Sequence, residues 1–197
     1  MSRTEIRITG FGGQGVVLSG YIIGRACAIH ANKHATMIQS FGPEARGSAC
    51  SATLAVSDTR VLYPYIRRPD VFVVMSAEGY ENYRDELKDD GTLVYEENLV
   101  HPTLKQGQPS FGIPSTRIAE SLGRSIVQNI VMLGFFTAVT KLVSRDEMRE
   151  AVKQSVPAGT EELNLKAFDA GCAHFDDVYA QGGQEKAAAA AEPTGQR

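Results

Sequence analysis

The chain has 197 residues, 43% of them hydrophobic and 22% charged, proportions that exclude wholesale disorder and suit one domain of generous size. A formal charge of −3 gives no global electrostatic case for nucleic acid. Three widely spaced cysteines, Cys27, Cys50 and Cys172, make neither a disulfide framework nor a thiolate cluster, so a reducing compartment is expected.

The opening MSRTEIRITG is polar and lacks the apolar core of a signal peptide. Thr4 to Thr9 alternates with β-branched residues and predicts a first strand. The turn Gly10-Phe11-Gly12-Gly13-Gln14-Gly15 follows, and then VVLSGYIIGRACAIHA carries apolar residues at helical spacing. Ala35 to Gln39 predicts a second strand, Ser40 to Gly47 a polar loop, and Ala49 to Val56 a third strand. Val71 to Ser76 is apolar without alternation, which predicts a strand buried on both faces. Ala77 to Lys88 is expected to be helical and to end at Asp90-Gly91. Thr92 to Glu96 predicts a strand, His101 to Phe111 a loop, and Ile113 to Thr116 a last short extended piece.

From Arg117 onward the pattern is all helical, over Ile118–Leu122, Ser125–Leu142, Asp146–Val156 and Glu161–Tyr179. Ser144 with Glu147 three residues on forms a capping box for the third of these. The most apolar stretch, Ile126 to Val143, contains Gln128, Asn129, Thr137, Thr140 and Lys141. Its clean core is about half of the roughly 20 residues that a spanning helix needs. A buried helix, no membrane span and a cytoplasmic location are therefore expected. Strands alternating with helices predict an α/β, Rossmann-like, mostly parallel sheet with helices on both faces and a helical C-terminal part. Residues 1–182 are expected to form this single domain, with 183–197 a mobile tail.

The motif Gly10-x-Gly12-x-x-Gly15 matches the dinucleotide fingerprint in form and in its strand–turn–helix context. Glycines let the backbone turn tightly and approach a pyrophosphate, and the following helix aims free N–H groups at that anion. The rest of the fingerprint fails. A nicotinamide or flavin site wants an acid at the end of the second strand, where this chain has Gln39-Ser40. No Gly-Lys-Ser/Thr follows either, which removes a P-loop. On this motif alone, an anion-binding turn and a turn that merely packs helix on strand stand level.

The loop Ser40-Phe41-Gly42-Pro43-Glu44-Ala45-Arg46-Gly47-Ser48 leaves the carboxyl end of the second strand, so it should face the same crevice. Arg46 could meet a phosphate or carboxylate with two parallel hydrogen bonds, or simply pair with Glu44 at the surface. Its placement beside the glycine turn favours the first reading.

GFGGQGV, SFGPEARG, Tyr63-Pro64 before Pro69-Asp70-Val71, Asn129 with Leu133-Gly134, and Asn164 with Ala167-Phe168 and Gly171 occur in that order. Together they resemble the gamma subunit, or equivalent fused domain, of the 2-oxoacid:ferredoxin (acceptor) oxidoreductases, over roughly residues 5 to 180. Phe41 departs from the usual tyrosine, and Ser48 stands where a second glycine is common. The resemblance implies a complex that converts a 2-oxoacid and coenzyme A to acyl-CoA and carbon dioxide, passing electrons to ferredoxin or another acceptor. It implies thiamine diphosphate, Mg and 4Fe-4S clusters on alpha and beta partners and a ferredoxin-like cluster subunit, with none bound by this chain alone. The gamma-type domain covers the active site in relatives and contributes to the CoA site.

On that reading Gly10, Gly12, Gly13, Gln14 and Gly15 hold the pyrophosphate region, while Ser40, Glu44 and Arg46 shape the CoA path or the subunit contact. CoA needs no acid on its phosphorylated ribose, which removes the puzzle of the missing one. The resemblance leans to 2-oxoglutarate, with pyruvate, branched-chain and aryl 2-oxoacids such as phenylglyoxylate open. An independent dinucleotide-binding protein is the alternative. No catalytic residue and no metal ligand is assigned. Cys27, His30 and His34 lack a further ligand nearby, and Cys50 reads as a small core residue. Asn129, a polar amide in an apolar helix, must find hydrogen bonds and is expected to tie that helix to a loop near the crevice.

Overall fold

The fold is described from a computed structural model, for residues 3–41 and 49–180. Six strands form one mixed sheet: β1 (Arg3–Phe11), β2 (His34–Phe41), β3 (Ala49–Ser57), β4 (Val71–Val74), β5 (Thr92–Glu96) and β6 (Ser110–Ile113), in the spatial order β2-β3-β1-β4-β5-β6. β1, β4, β5 and β6 pair in parallel, whereas β3 is antiparallel to both β1 and β2. Five strands therefore point one way and β3 alone runs back. Period-two alternation reports which face a residue takes, not which way its strand runs; the sign of the reversal is the connection of seven residues between Phe41 and Ala49, too short for the crossover of a parallel pair.

Helices cover both faces. On one side lie α1 (Val16–Arg25), α4 (Gln128–Thr140), α5 (Arg145–Ser155) and α6 (Glu161–Phe175), packed on Ile6, Ile8, Leu54, Val73 and Val94. On the other, α2 (Ala77–Tyr83) and the turn after it shelter Phe72, Val74 and Leu93. β4 has all four residues buried, because it is paired on both edges and covered on both faces. Each such side chain withdrawn from water contributes about 1.5–3 kcal/mol.

Several boundaries differ from expectation. The last strand is Ser110–Ile113, and Ser115 and Thr116 open α3 (Ser115–Ser121). Pro114, which disfavours a helical residue before it, marks that switch. The helix from Ala77 ends at Tyr83 in a tighter turn over Arg84–Glu86. There Glu86 turns to the sheet and accepts from Arg7, whose guanidinium also lies 4.2 Å from the Tyr83 ring centroid. The first helix widens over Ala26–His30 and stops where Asn32 takes φ 50°. The capping box at Ser144 forms as expected.

Gly134 of α4 and Gly171 of α6 set the depth at which those two helices cross. A Cβ on Gly134 would fall 2.0 Å from the Phe168 carbonyl oxygen, and one on Gly171 equally close to the Val131 carbonyl. The C-terminal end of the described chain is clasped to β6, since the Tyr179 hydroxyl accepts from the Gly112 N–H and donates to its C=O. Residues 183–197 lie outside the described residues.

Candidate functional site

β1 leads into a turn at the carboxyl edge of the sheet. Gly10 is still in the strand, pairing with Cys50, and the reversal falls on residues 12–15. Gly13 and Gly15 take φ 101° and 77°, conformations that favour glycine. Space constrains two of the glycines. A Cβ on Gly10 would meet Gln14 Oε1 at 2.6 Å, and one on Gly15 would meet Asn129 Nδ2 at 2.5 Å. Gly13 is exposed, with nothing within 4 Å of where its Cβ would be. This glycine therefore keeps the turn open toward solvent.

Gln14 bends back into the turn. Its Oε1 accepts from the Phe11 N–H at 2.7 Å and its Nε2 donates to the Met75 C=O at 3.0 Å, which ties the turn to the end of β4. Its carboxamide is committed to the backbone and its own N–H donates to the Phe11 C=O, whereas the N–H groups of Gly12, Gly13 and Gly15 make no hydrogen bond among the described residues. α1 makes its first bond from the Ser19 N–H to the Gly15 C=O, leaving the N–H groups of Val16, Val17 and Leu18 unpaired within the helix. No acidic residue stands in that first turn. The helix end is equivalent to about +0.5 of a charge.

Asn129, the second residue of α4, is 3% exposed and packs against Gly15. Its Nδ2 has no hydrogen-bond partner among the described residues. The bond expected for this amide is thus missing, although its neighbour is the turn. A buried donor left alone costs about 1–3 kcal/mol.

The strand register brings the second predicted loop to the same edge. Phe41 of β2 stands opposite Cys50 of β3, which stands opposite Gly10. The root of that loop is therefore two strand spacings, about 10 Å, from the glycine turn. Ser40 is exposed at this edge. Glu44 and Arg46 lie outside the described residues. The edge is also where the chain order switches sides, since β2 follows β1 on one side and β4 flanks β1 on the other. Open α/β sheets receive ligands at such a point.

A carboxylate does stand on this edge, at β5 rather than β2. Glu96 is 1% exposed and accepts from the Asn98 N–H and Nδ2, the Thr116 N–H and the Ser115 hydroxyl. It is saturated by these donors and holds the start of α3. In the sequence Glu96 is the end of a predicted strand; the signal for its role is an acid followed by Asn98, with Ser115-Thr116 further on.

Among the described residues no three His, Cys, Asp or Glu side chains gather as a metal site. Burial pushes the Cys27 thiol up to about 12 and that of Cys172 up to about 11, which leaves both as unreactive core groups. No helix among the described residues is long and apolar enough to cross a membrane.

Residues 5–174 match the family described as pyruvate ferredoxin/flavodoxin oxidoreductase. The 2-oxoglutarate synthase subunit KorC of Methanocaldococcus jannaschii is 46% identical over 173 residues, which cover 86% of this chain and 92% of that protein. The gamma subunit of a keto/oxoacid ferredoxin oxidoreductase from Geobacter sulfurreducens superposes with a TM-score of 0.77 at 36% identity, covering 87% of this chain and 95% of that one. The same fold occurs in the 2-oxoglutarate:ferredoxin oxidoreductase of Magnetococcus marinus, solved with 2-oxoglutarate, coenzyme A and succinyl-CoA. There the TM-score is 0.82 at 24% identity, over 90% of this chain and 32% of that one. With a family match across nearly the whole globular part and close identity to relatives of the same length, this chain belongs to the pyruvate ferredoxin/flavodoxin oxidoreductase family.

Proposed function

We propose that the chain is the gamma subunit of a 2-oxoacid:ferredoxin oxidoreductase, with 2-oxoglutarate as the 2-oxoacid, and that its glycine turn receives the phosphates of coenzyme A. The likeness to a 2-oxoglutarate synthase subunit over 92% of that subunit's length supports the substrate. The open, N–H-lined turn at Gly12, Gly13 and Gly15, next to a helix end without acids, is the observation that carries the CoA reading. A pyrophosphate there would accept from main-chain N–H groups and meet the positive end of α1. Gln14 acts by fixing the turn. Arg46, three residues before β3 begins in the sequence, would supply a cation for a phosphate of the same ligand.

The carbon chemistry and the electron transfer belong to partner subunits. Thiamine diphosphate with Mg and 4Fe-4S clusters would supply the carbanion and the electron path there. This chain's part is to bind and orient the thiol carrier over that centre. In the assembled enzyme, Arg46→Ala is expected to raise the KM for CoA at least tenfold while 2-oxoacid decarboxylation without CoA is kept. An unchanged KM for CoA contradicts the assignment of Arg46.

A further inference from the structure

The opposite edge of the sheet carries a feature that the CoA reading does not use. β3 ends at Ser57 and β4 begins at Val71, on either side of β1. The gap is two strand spacings, about 10 Å, which an extended chain covers in roughly three residues. The protein spends residues 58–70 on it. Loops of that length without secondary structure are uncommon in compact domains and are usually functional.

Hydrogen bonds hold this loop at its two ends. The Ser57 hydroxyl accepts from the Thr59 N–H, and the Asp70 N–H donates to the Glu5 C=O. Pro64 and Pro69 fix φ along it. Its large side chains nevertheless face water: Leu62 is 83% exposed, Tyr63 56% and Tyr65 60%. The two tyrosine rings lie 5.5 Å apart at 54°. Three large apolar groups within four residues are an interaction surface, not scattered exposure.

Beside them the surface carries four cations, one of which has no acid of its own. An open concavity of about 640 Å³ is lined by Tyr63 and Tyr65 with Arg3, Arg67, Arg68 and Lys88, against the single carboxylate Glu5. Arg3 pairs with Glu5, Lys88 with Asp70 and Arg68 with Asp89. Arg67 is exposed and has no ion pair or hydrogen bond among the described residues. Arg67 is thus the uncompensated cation of the concavity, and a carboxylate is the group that would pair with it. Tyrosine and arginine are also the residues that dominate binding energy at protein interfaces.

We propose that the concavity at Tyr63, Tyr65 and Arg67 is a docking surface for an acidic segment of a partner subunit, with a carboxylate on Arg67 and an apolar side chain between the tyrosines. The proposal rests on the reading of the chain as one subunit of a complex. It is independent of the CoA site, which lies at the other ends of the strands.

The test uses the full chain and the purified partner subunits of the native complex. Binding is measured by titration at several salt concentrations for the natural chain, Arg67→Glu and Tyr63→Ala/Tyr65→Ala. Thermal melting of each free variant checks that it is folded. The expected result is an affinity loss of tenfold or more for both variants. The natural chain should also weaken with salt, and Arg67→Glu should flatten that dependence. Hydrogen exchange of residues 60–68 should slow in the complex even if a variant misfolds. Unchanged affinity of folded variants, or equal exchange in free and bound chain, overturns the docking surface and leaves the subunit reading intact. Failure of the natural chain to bind any partner overturns both. Tyrosine fluorescence quenched by CoA and restored by Arg67→Glu would assign the concavity to a nucleotide and overturn the proposal.

Discussion

Asn129 occupies the space that a side chain on Gly15 would need: a Cβ there would fall 2.5 Å from Asn129 Nδ2 and 3.0 Å from its Cβ. The contact joins the start of α4 to the cap of α1. Gly15 also stands at φ 77°, so two separate penalties act on any replacement. Gly15→Ala is expected to lose about 2–4 kcal/mol of stability, from backbone strain and overpacking together. In an Asn129→Ala background the clashes with Nδ2 and Cγ disappear and only the 3.0 Å approach to the Cβ stays. The same substitution should then cost about 1–2 kcal/mol, and urea unfolding of the four chains in a double-mutant cycle measures the difference. Equal costs in both backgrounds would show that the amide does not hold the turn.

The crossing of α4 and α6 makes a second, sharper case. A methyl at Gly134 would meet the Phe168 carbonyl at 2.0 Å, and backbone cannot swing aside as a side chain can. Gly134→Ala should lower stability by about 3 kcal/mol or more. Gly159→Ala, at φ 85° but with nothing within 4 Å, should cost only about 1 kcal/mol. Thermal melting of the two variants ranks them.

The buried thiols predict an alkaline limit. Cys27 moves from its ordinary 9.0 to about 12 in the fold, chiefly because burial penalises the thiolate. Above pH 9 the unfolded chain sheds this proton while the folded chain keeps it, so unfolding releases a proton and stability falls as pH rises. The contribution is complete below pH 9 and declines toward pH 12 by up to about 1.4 kcal/mol per pH unit. Cys27→Ala should flatten the slope of unfolding free energy between pH 9 and 11, whatever it does to stability at pH 7. An unaltered slope would show that Cys27 is not the group responsible.

The local features of the fold were legible where one residue pattern implies one geometry. The helical spacing after Gly15, the unbroken apolar run of β4 and the Ser144–Glu147 box each did so. The alternation of Ala52, Leu54 and Val56 is blind to the direction of β3, and the readable sign was instead the seven residues between Phe41 and Ala49, too few for a parallel crossover. At the site, the turn and its helix could be read from glycine spacing, and Asn129 stood out as an amide in an apolar helix. That Gln14 would bend inward to Met75 depends on where β4 ends beside β1, a tertiary fact with no local signature. The same holds for Glu96, whose donors come from two later segments.

Gly13 offers the most direct test of the claim that the turn receives the phosphates of CoA. It is exposed, unobstructed and at φ 101°, so Gly13→Asn and Gly13→Asp impose similar backbone strain and differ by one negative charge. The measurement is the KM for CoA of each variant in the assembled enzyme at saturating 2-oxoglutarate. The account predicts a KM at least tenfold higher for Gly13→Asp than for Gly13→Asn, about 1.4 kcal/mol of like-charge repulsion, with the KM for the 2-oxoacid equal in both. Equal values for CoA in the two variants would contradict it.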